Sequence, residues 1–243
     1  AALILRPFLG IPPERLAATV AAAGLTAVRD PSNADPRFTR ARLRGLAIAG
    51  RDALAEAGSR FAARRRAEEA AVAARLAGAA TLHPEGFARL DLRALGGDAA
   101  AVGALRALIR AIAGRAFPPS HDAAAALLRR GQGTLAGAVL RRDGLLTREP
   151  AAMGPPVPAR RGALWDGRFR LAGPGEEGCG IAALGTPPPD LRRPGWLAGP
   201  ALRTLPAIRR GKALVAVPHL AYPDAEAAAR YRFRFAPASG PVT

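Results

Sequence analysis

The chain has little cysteine and few aromatic residues. Cys179 is its single cysteine, so no disulfide can form within the chain, and this usage is typical of a reducing compartment such as the cytosol. Phe, Trp and Tyr make up only 5% of the residues, whereas apolar residues as a whole make up 49%. That apolar content is sufficient for a packed core, which argues against a disordered chain.

Long apolar runs are also absent. No stretch approaches the roughly 20 apolar residues that a membrane-spanning helix needs, and the apolar start is interrupted by Arg6 and Pro7. The sequence therefore predicts no membrane partner, no signal peptide and a cytoplasmic location. Because the chain opens without Met and directly in a predicted strand, we expect it to be cut from a longer protein.

Lysine is almost absent, since Lys212 is the only one, yet the chain is strongly basic. Lys and Arg together number 36 against 19 Asp and Glu, which gives a formal net charge of +17. Such an excess favours a polyanionic partner, because each phosphate that an arginine neutralises releases condensed counterions. Nucleic acid is the predicted partner, and a merely solvated basic surface is the alternative.

Patterns of metal ligands and of catalytic thiols are missing. His83, His121 and His219 lie far apart, with no Cys or acidic residue at ligand spacing, so we predict no metal site. Each histidine is instead expected in a turn or in the core. Cys179 has no histidine near it in sequence, which argues against a catalytic role.

Two tryptophans leave a choice between packing and binding. Trp165 and Trp196 could stack on bases, but a tryptophan beside a strand run is more often part of the core, so packing is the favoured interpretation for both. Asp166 and Arg168 flank a glycine and predict a turn, with RNA contact by Arg168 as the alternative.

Helices and hairpins follow one another in blocks. Pro12 and Gly24 bound a predicted first helix, Asp98 is a predicted N-cap, and Asp143-Gly144 favours a tight hairpin turn. The stretches over 38–58 and 60–76 predict a helical hairpin or one long broken helix. Up to residue 149 the predicted elements are a strand at Ala2–Leu5, a helix over 12–24, a turn at Asp30–Asn33, these two helical stretches, a hairpin over Thr81–Leu92, helices over Asp98–Ile112 and His121–Arg130, and strands over Thr134–Arg141 and Leu145–Glu149.

A proline-rich stretch, Pro150–Pro158, predicts a linker and a boundary near residue 150. Beyond it, short predicted strands alternate with loops rich in Pro and Gly. They lie at Leu164–Leu171, Ile181–Leu184, Lys212–Val217 and Tyr231–Phe235. Since no repeated βαβ unit occurs, the predicted fold class is α+β.

The segment Asp30–Arg44 is the most informative part of the sequence. If a helix begins near Phe38, then Arg37, Arg40 and Arg44 project from one face. Three like charges on one face repel, and bound phosphate would relieve that repulsion. A solvated helix face is the alternative, and spacing alone leaves both open.

The motifs of this segment resemble those of the bacterial tRNA(Ile)-lysidine synthetases in their proteobacterial form. Asp30-Pro31-Ser32-Asn33, an acidic spacer, an aromatic residue and Arg-x-Arg-x-Arg resemble the segment that closes that family's catalytic domain; Ala41 stands where most members have Asn. Further matching landmarks are Arg6-Pro7-Phe8-Leu9, His83-Pro84-Glu85-Gly86-Phe87, Arg148-Glu149-Pro150, Leu164-Trp165-Asp166-Gly167-Arg168-Phe169, Thr204-Leu205-Pro206-Ala207 and Val217-Pro218-His219.

The resemblance implies an ATP-dependent ligase that adenylates the wobble cytidine of the CAU anticodon of tRNA(Ile) and then joins free lysine to it, forming lysidine. It implies three parts: a remnant of the α/β ATP-pyrophosphatase-type catalytic domain over 1–48, a helical and hairpin tRNA-binding domain over 49–150, and a β-rich domain over 151–243. Contacts with tRNA are expected at Arg37, Arg40 and Arg44, with Asp30 and Asn33 fixing the turn. Weaker candidates for contact with the tRNA backbone are Arg64, Arg65, Arg66, Arg129 and Arg130.

The family's phosphate loop, S-G-G-x-D-S, does not occur in this sequence. The glycine-dense stretch Gly173–Gly180 contains two acids that would repel phosphate, so it is predicted to be a surface loop. ATP and Mg²⁺ are therefore expected to bind mainly outside this chain, which should be inactive alone. The alternatives are a non-catalytic basic RNA-binding module and a basic DNA-associated protein, although no helix-turn-helix or zinc-finger spacing supports the latter. The oligomeric state, with a homodimer among the options, is left open.

Overall fold

A computed structural model describes residues 7, 8, 10–28, 30–39, 41, 42 and 51–237. The chain divides into two compact units, one of residues 2–64 and one of residues 65–243. The described residues combine helices with antiparallel sheets, in agreement with the predicted α+β class. The division into three domains stays a prediction. No helix among the described residues is long and apolar enough to cross a bilayer.

The smaller unit contains the predicted first helix, α1 (Pro13–Ala22), which begins at a proline and has Glu14 in its first turn. The predicted turn follows as a short 3₁₀ helix, Pro31–Asn33. Helix α2 (Arg51–Ala79) begins in this unit, and its residues 65–79 belong to the larger one. From residue 51 onward, the two predicted helical stretches form one helix. The predicted strand Ala2–Leu5 and residues 43–50 lie outside the described residues.

The first sheet of the larger unit is fully antiparallel. Its strands are β1 (Ala80–His83), β2 (Phe87–Leu90), β3 (Gly133–Leu135), β4 (Ala138–Leu140) and β5 (Leu145–Arg148), in the spatial order β1-β2-β5-β4-β3. The predicted hairpin over Thr81–Leu92 is β1 and β2. The two helices predicted after it are also present, as α4 (Ala99–Ala113) and α5 (His121–Arg130), preceded by the short helix α3 (Leu92–Leu95).

Helix α4 is the centre of the first core. Asp98 caps it, since its carboxylate accepts a hydrogen bond from the Ala101 amide at 2.8 Å. Apolar side chains at helical spacing, among them Leu105 and Ile109, are fully buried against the sheet. The same core includes Leu146 of the central strand β5. Periodicity in the sequence therefore identified both the helix and its buried face.

The prediction of a single strand over Thr134–Arg141 is wrong, because this segment forms two short strands, β3 and β4. The chain turns between β3 and β4 at Ala136 and Gly137, whose φ angles are +53° and +89°. This turn contacts Arg148, 11 residues further on, whose guanidinium donates to the Gly137 carbonyl at 2.7 Å. A Cβ on Gly137 would lie 2.3 Å from that guanidinium, so only glycine fits there.

The residues after 150 form two smaller antiparallel sheets. Their strands are β6 (Val157–Arg160), β7 (Leu164–Trp165), β8 (Phe169–Leu171), β9 (Gly175–Ala183), β10 (Pro206–Arg210), β11 (Ala213–Ala216) and β12 (Phe233–Phe235). One sheet has the order β11-β10-β9-β6 and the other β12-β8-β7. Two apolar cores accompany them, one around Leu184, Leu197 and Leu205 and one around Trp165, Phe169 and Ile181. The helices of this region are α6 (Gly199–Leu202) and α7 (Ala225–Arg230).

The predicted surface loop Gly173–Gly180 is wrong as well, since most of it belongs to the long strand β9. Strand β9 pairs with both β6 and β10. A Cβ on Gly175 would lie 2.2 Å from the Ala159 carbonyl oxygen, so the glycine permits a close approach of neighbouring strands. Glu176 is held by an ion pair with Arg230 at 3.3 Å. Gly175 thus reflects close packing of backbones within a sheet, whereas a Cβ on Gly178 would meet nothing within 4 Å.

Candidate nucleic-acid interface

The turn before the arginine segment has the predicted residues in place. The Asp30 carboxylate accepts a hydrogen bond from the Ser32 amide at 2.9 Å, and the Asn33 amide donates to the Asp30 carbonyl at 3.1 Å. Hydrogen bonds from the backbone and side chain of Ser32 lower the pKa of Asp30. Asp30 thus caps the 3₁₀ helix as an ionised carboxylate and fixes the direction in which the chain continues.

Arg37 is exposed but already has an acidic neighbour. Its Nε donates to Asp35 at 2.8 Å, and a terminal nitrogen lies 2.6 Å from the same carboxylate. The hydrogen bond that Arg37 donates to Asp35 raises the pKa of Arg37, and the side chain keeps 84% of its surface exposed. The pair is local and solvated, so a phosphate could compete with Asp35 for this guanidinium.

The helix after this turn begins near Phe38, as predicted, because the Ala41 and Arg42 amides both donate to the Phe38 carbonyl. Arg42 folds back on its own segment, where its guanidinium donates to the Thr39 hydroxyl at 3.1 Å. Arg40 and Arg44 lie outside the described residues. Whether Arg37, Arg40 and Arg44 share one face stays a prediction.

The cluster Arg64–Arg66 lies on an exposed stretch of α2. Arg65 forms an ion pair with Glu69, one turn further on, at 3.2 Å, and Arg60 forms the equivalent pair with Glu56 at 2.8 Å. Such i,i+4 pairs support the helix and neutralise part of its charge. This cluster is therefore less basic than the three consecutive arginines suggest.

Arg129 and Arg130 end helix α5, where their positive charge suits the negative end of the helix dipole. Both are exposed. Beyond the capping Gly131, the edge strand β3 and strand β4 line a groove of about 570 Å³. Its lining includes Arg141, Arg142 and Asp143, and Arg141 forms an exposed ion pair with Asp143 at 3.6 Å. We call these four arginines, Arg129, Arg130, Arg141 and Arg142, the edge-strand arginines. The last two were missed in the sequence, where they were assigned to the end of a strand and the hairpin turn that follows it.

Arg168 is fully buried, so the alternative prediction that it contacts RNA is wrong. The side chains of Arg148, Asp166 and Arg168 are 4%, 1% and 0% exposed, and both arginines form ion pairs with Asp166 at 2.9 and 2.8 Å. Burial raises the pKa of Asp166, but hydrogen bonds from Arg148 and Gly154 and the two positive charges lower it overall. Burial lowers the pKa of Arg168 to about 10.

The buried triad of Arg148, Asp166 and Arg168 joins distant parts of the larger unit. Arg168 donates to the Gly86 carbonyl at 3.2 Å in the first hairpin and to the Thr204 carbonyl at 3.3 Å before β10. The Gly154 amide donates to Asp166 at 2.8 Å. Polar side chains buried this completely are stable only when each is paired, so the triad is a structural junction.

The two tryptophans differ from each other. Trp165 is fully buried, as predicted, whereas Trp196 exposes 50% of its surface, so the prediction of core packing is wrong for Trp196. His219 is packed edge-on against Phe169, with ring centroids 5.5 Å apart, and burial lowers its pKa to about 4. It is a neutral core histidine.

In the part of the chain that the structure describes, no three His, Cys, Asp or Glu residues are grouped to hold a metal ion.

Several known proteins are similar to this chain in sequence, and they carry the same name. The tRNA(Ile)-lysidine synthase of Ruegeria pomeroyi is 32% identical over 240 residues, covering 89% of this chain and 55% of that protein. The enzyme of the same name from Methylobacterium nodulans is 45% identical over 117 residues, 45% of this chain and 34% of its own length. That of Rhodopseudomonas palustris is 57% identical over 44 residues.

The chain belongs to the tRNA(Ile)-lysidine synthase family. It spans about half the length, or less, of the curated family members that it matches, and the matched parts lie mostly towards their carboxyl ends. No protein-family model matches the chain, and no solved structure is significantly similar to it. Within the described residues, the exposed arginines are the candidate contacts for a nucleic acid.

Proposed function

We propose that this chain supplies the tRNA-binding part of an ATP-dependent tRNA(Ile)-lysidine synthase. The observation that carries the proposal is the match to the Ruegeria pomeroyi enzyme along 89% of the chain, combined with a net charge of +17. A surface rich in arginine binds RNA phosphates through charge-assisted and bidentate hydrogen bonds. The substrate is tRNA(Ile) with a CAU anticodon, and the second substrate is free lysine.

Within the proposed reaction, Arg37, Arg40 and Arg44 contact tRNA or nucleotide phosphate, and the turn at Asp30 and Asn33 directs them. Arg37 has the exposure that this role needs, and its ion pair with Asp35 is weak enough for phosphate to replace. The edge-strand arginines and Arg64–Arg66 contact the tRNA backbone, which positions the RNA without reading its sequence.

We propose that ATP and Mg²⁺ are bound mainly by residues outside this chain. Adenylation of cytidine needs a preorganised phosphate site and a metal ion, and the sequence contains no S-G-G-x-D-S loop. The chain's own contribution is then to hold the tRNA so that the wobble base reaches the catalytic residues. A free-standing RNA-binding module remains the alternative function.

Lysine incorporation into tRNA tests this division of labour. The 243-residue chain alone should consume no ATP in the presence of tRNA(Ile) and lysine. Joined covalently to a family ATP-binding domain, it should form lysidine on tRNA(Ile) and none on elongator methionine tRNA, because the tether raises the effective concentration of the RNA-binding surface. In the joined protein, Arg40→Ala and Arg44→Ala should lower activity far more than Arg129→Ala.

Each part of the proposal has its own contradicting result. Lysidine formation by the chain alone would overturn the division of labour. A joined protein that binds tRNA but never incorporates lysine would contradict the reaction. Equal losses in the three arginine variants would mean that total charge, and not position, determines activity.

A further inference from the structure

The loop before α6 carries a half-exposed tryptophan among arginines. Trp196 exposes 50% of its surface, although a large apolar ring is normally buried unless it has a partner. Arg192 and Arg193 precede it by four and three residues and are both exposed. An accessible indole beside positive charge is the arrangement that binds unpaired bases, because the ring stacks on a base while a guanidinium meets its phosphate.

The backbone of this loop is held in place on both sides of Trp196. Leu197, the next residue, is fully buried, and Leu191 packs against the same core. The Leu197 amide donates to the Pro194 carbonyl at 3.1 Å, and the Arg193 guanidinium donates to the Leu197 carbonyl. The indole is therefore presented from an anchored turn, and binding a ring to it costs little ordering of the loop.

The charges around the loop favour a polyanion. Its acidic residue, Asp190, accepts a hydrogen bond from the Tyr222 hydroxyl at 3.3 Å. A third arginine, Arg203, is also exposed, and its carbonyl accepts a hydrogen bond from the Gly185 amide at 3.0 Å at the start of the same loop. Within the loop itself, residues 184–198, the two exposed arginines outnumber the one acid, and this net positive charge favours a polyanion such as RNA.

We propose that Trp196 stacks on an unpaired nucleotide of the RNA and that Arg192 contacts the adjoining phosphate. This stacking site rests on the proposed function and specifies the kind of RNA that this surface of the larger unit takes. It binds a single-stranded stretch, whereas the edge-strand arginines, which have no exposed aromatic residue among them, contact the backbone.

The test measures binding of the full 243-residue chain to a single-stranded RNA oligonucleotide, to a blunt RNA duplex and to inorganic polyphosphate. Trp196→Leu should weaken binding of the single-stranded RNA by about 5- to 100-fold, the effect expected from losing one stacked base. Its binding of the duplex should change by less than about twofold, since backbone contacts remain. Trp196→Phe, which keeps a ring, should retain most of the affinity.

Tryptophan fluorescence gives an independent readout. Because Trp165 is fully buried, the single-stranded RNA should quench mainly Trp196, and Trp196→Phe should abolish that quenching. Polyphosphate, which has no bases, should not quench either protein. Phe117→Leu, which changes another exposed aromatic residue beside an arginine, should leave the quenching intact.

Several results would overturn the stacking site. Unchanged affinity of Trp196→Leu for single-stranded RNA would do so, as would equal losses for single-stranded RNA and duplex, or quenching by polyphosphate. Self-association of the chain that Trp196→Leu abolishes, with RNA binding unchanged, would show that the tryptophan contacts protein instead. If the unmodified chain binds no RNA at all, the proposed function fails and this site fails with it; loss of the stacking site alone leaves the proposed function standing.

Discussion

At the scale of single residues, arginine has two separate uses in this chain. Arg37 and the edge-strand arginines are exposed, whereas Arg148 and Arg168 are buried around Asp166. The sequence predicted a turn at Asp166-Gly167-Arg168, which the structure confirms, but gave no sign that Arg148, 18 residues earlier, pairs with it. Local patterns predict turns, and only tertiary packing selects which charges are buried.

The buried triad leads to a prediction about stability. Asp166→Asn keeps the shape of the side chain but leaves two guanidinium groups buried without their counter-charge. We expect the free energy of unfolding, measured by denaturant titration, to fall by about 3–5 kcal/mol. The matched control is Glu69→Gln, which breaks the exposed ion pair with Arg65 and should cost less than about 1 kcal/mol. Similar costs for both variants would show that the triad does not stabilise the fold.

The stabilising contribution of the Asp166 charge should depend on pH. The pKa of Asp166 lies below its ordinary value of 3.8, so its charge stabilises the folded state fully above pH 3.8. Below that pH the unfolded state takes up a proton that the folded state resists. The difference in stability between the unmodified chain and Asp166→Asn should therefore narrow as the pH falls below 3.8.

At the scale of elements, helices and tight turns were predicted better than strands. Helix α5 begins and ends at the predicted residues, and Asp98 is the predicted cap of α4. The predictions of a strand over Thr134–Arg141 and of a loop over Gly173–Gly180 were both wrong. In each case a glycine, Gly137 or Gly175, was assigned the wrong structural role. A glycine that makes a turn and a glycine that lets two backbones approach look alike in a sequence, because the neighbouring strand is distant along the chain.

Gly144 both forms a turn and lets two backbones approach closely, and a substitution there can test the account. It ends the turn between β4 and β5 with φ +77°, and a Cβ there would lie 1.9 Å from the Leu90 carbonyl oxygen. Gly211, in the turn between β10 and β11, has φ +56° with nothing within 4 Å of such a Cβ. Gly211→Ala should cost about 1–2 kcal/mol of unfolding free energy from backbone strain alone.

Gly144→Ala should cost about 1–3 kcal/mol more than Gly211→Ala, because the Leu90 backbone must also move. Thermal and denaturant unfolding of the two variants, compared with the unmodified chain, provide the measurement. Equal costs would mean that the approach of β2 to this turn is not tight.

At the scale of the whole molecule, the family was recognisable from the sequence because its motifs are short and local. Asp30–Asn33 and the arginines that follow lie within 15 residues of one another, so no fold is needed to find them. The surface proposed to bind RNA was less predictable. Trp196 was expected in the core, and Arg141 and Arg142 were overlooked, because exposure and the position of an edge strand are properties of the folded chain.

The salt dependence of tRNA binding tests the central claim most directly. Filter binding of tRNA(Ile) to the 243-residue chain at a series of salt concentrations gives the slope of the logarithm of the association constant against the logarithm of salt. Each phosphate that an arginine neutralises contributes roughly −0.7 to −0.9 to that slope. If several exposed arginines contact the backbone, the plot should be linear with a slope of about −3 or steeper. A slope near zero, or no binding at low salt, would contradict the account of this chain as the tRNA-binding part of a lysidine synthase.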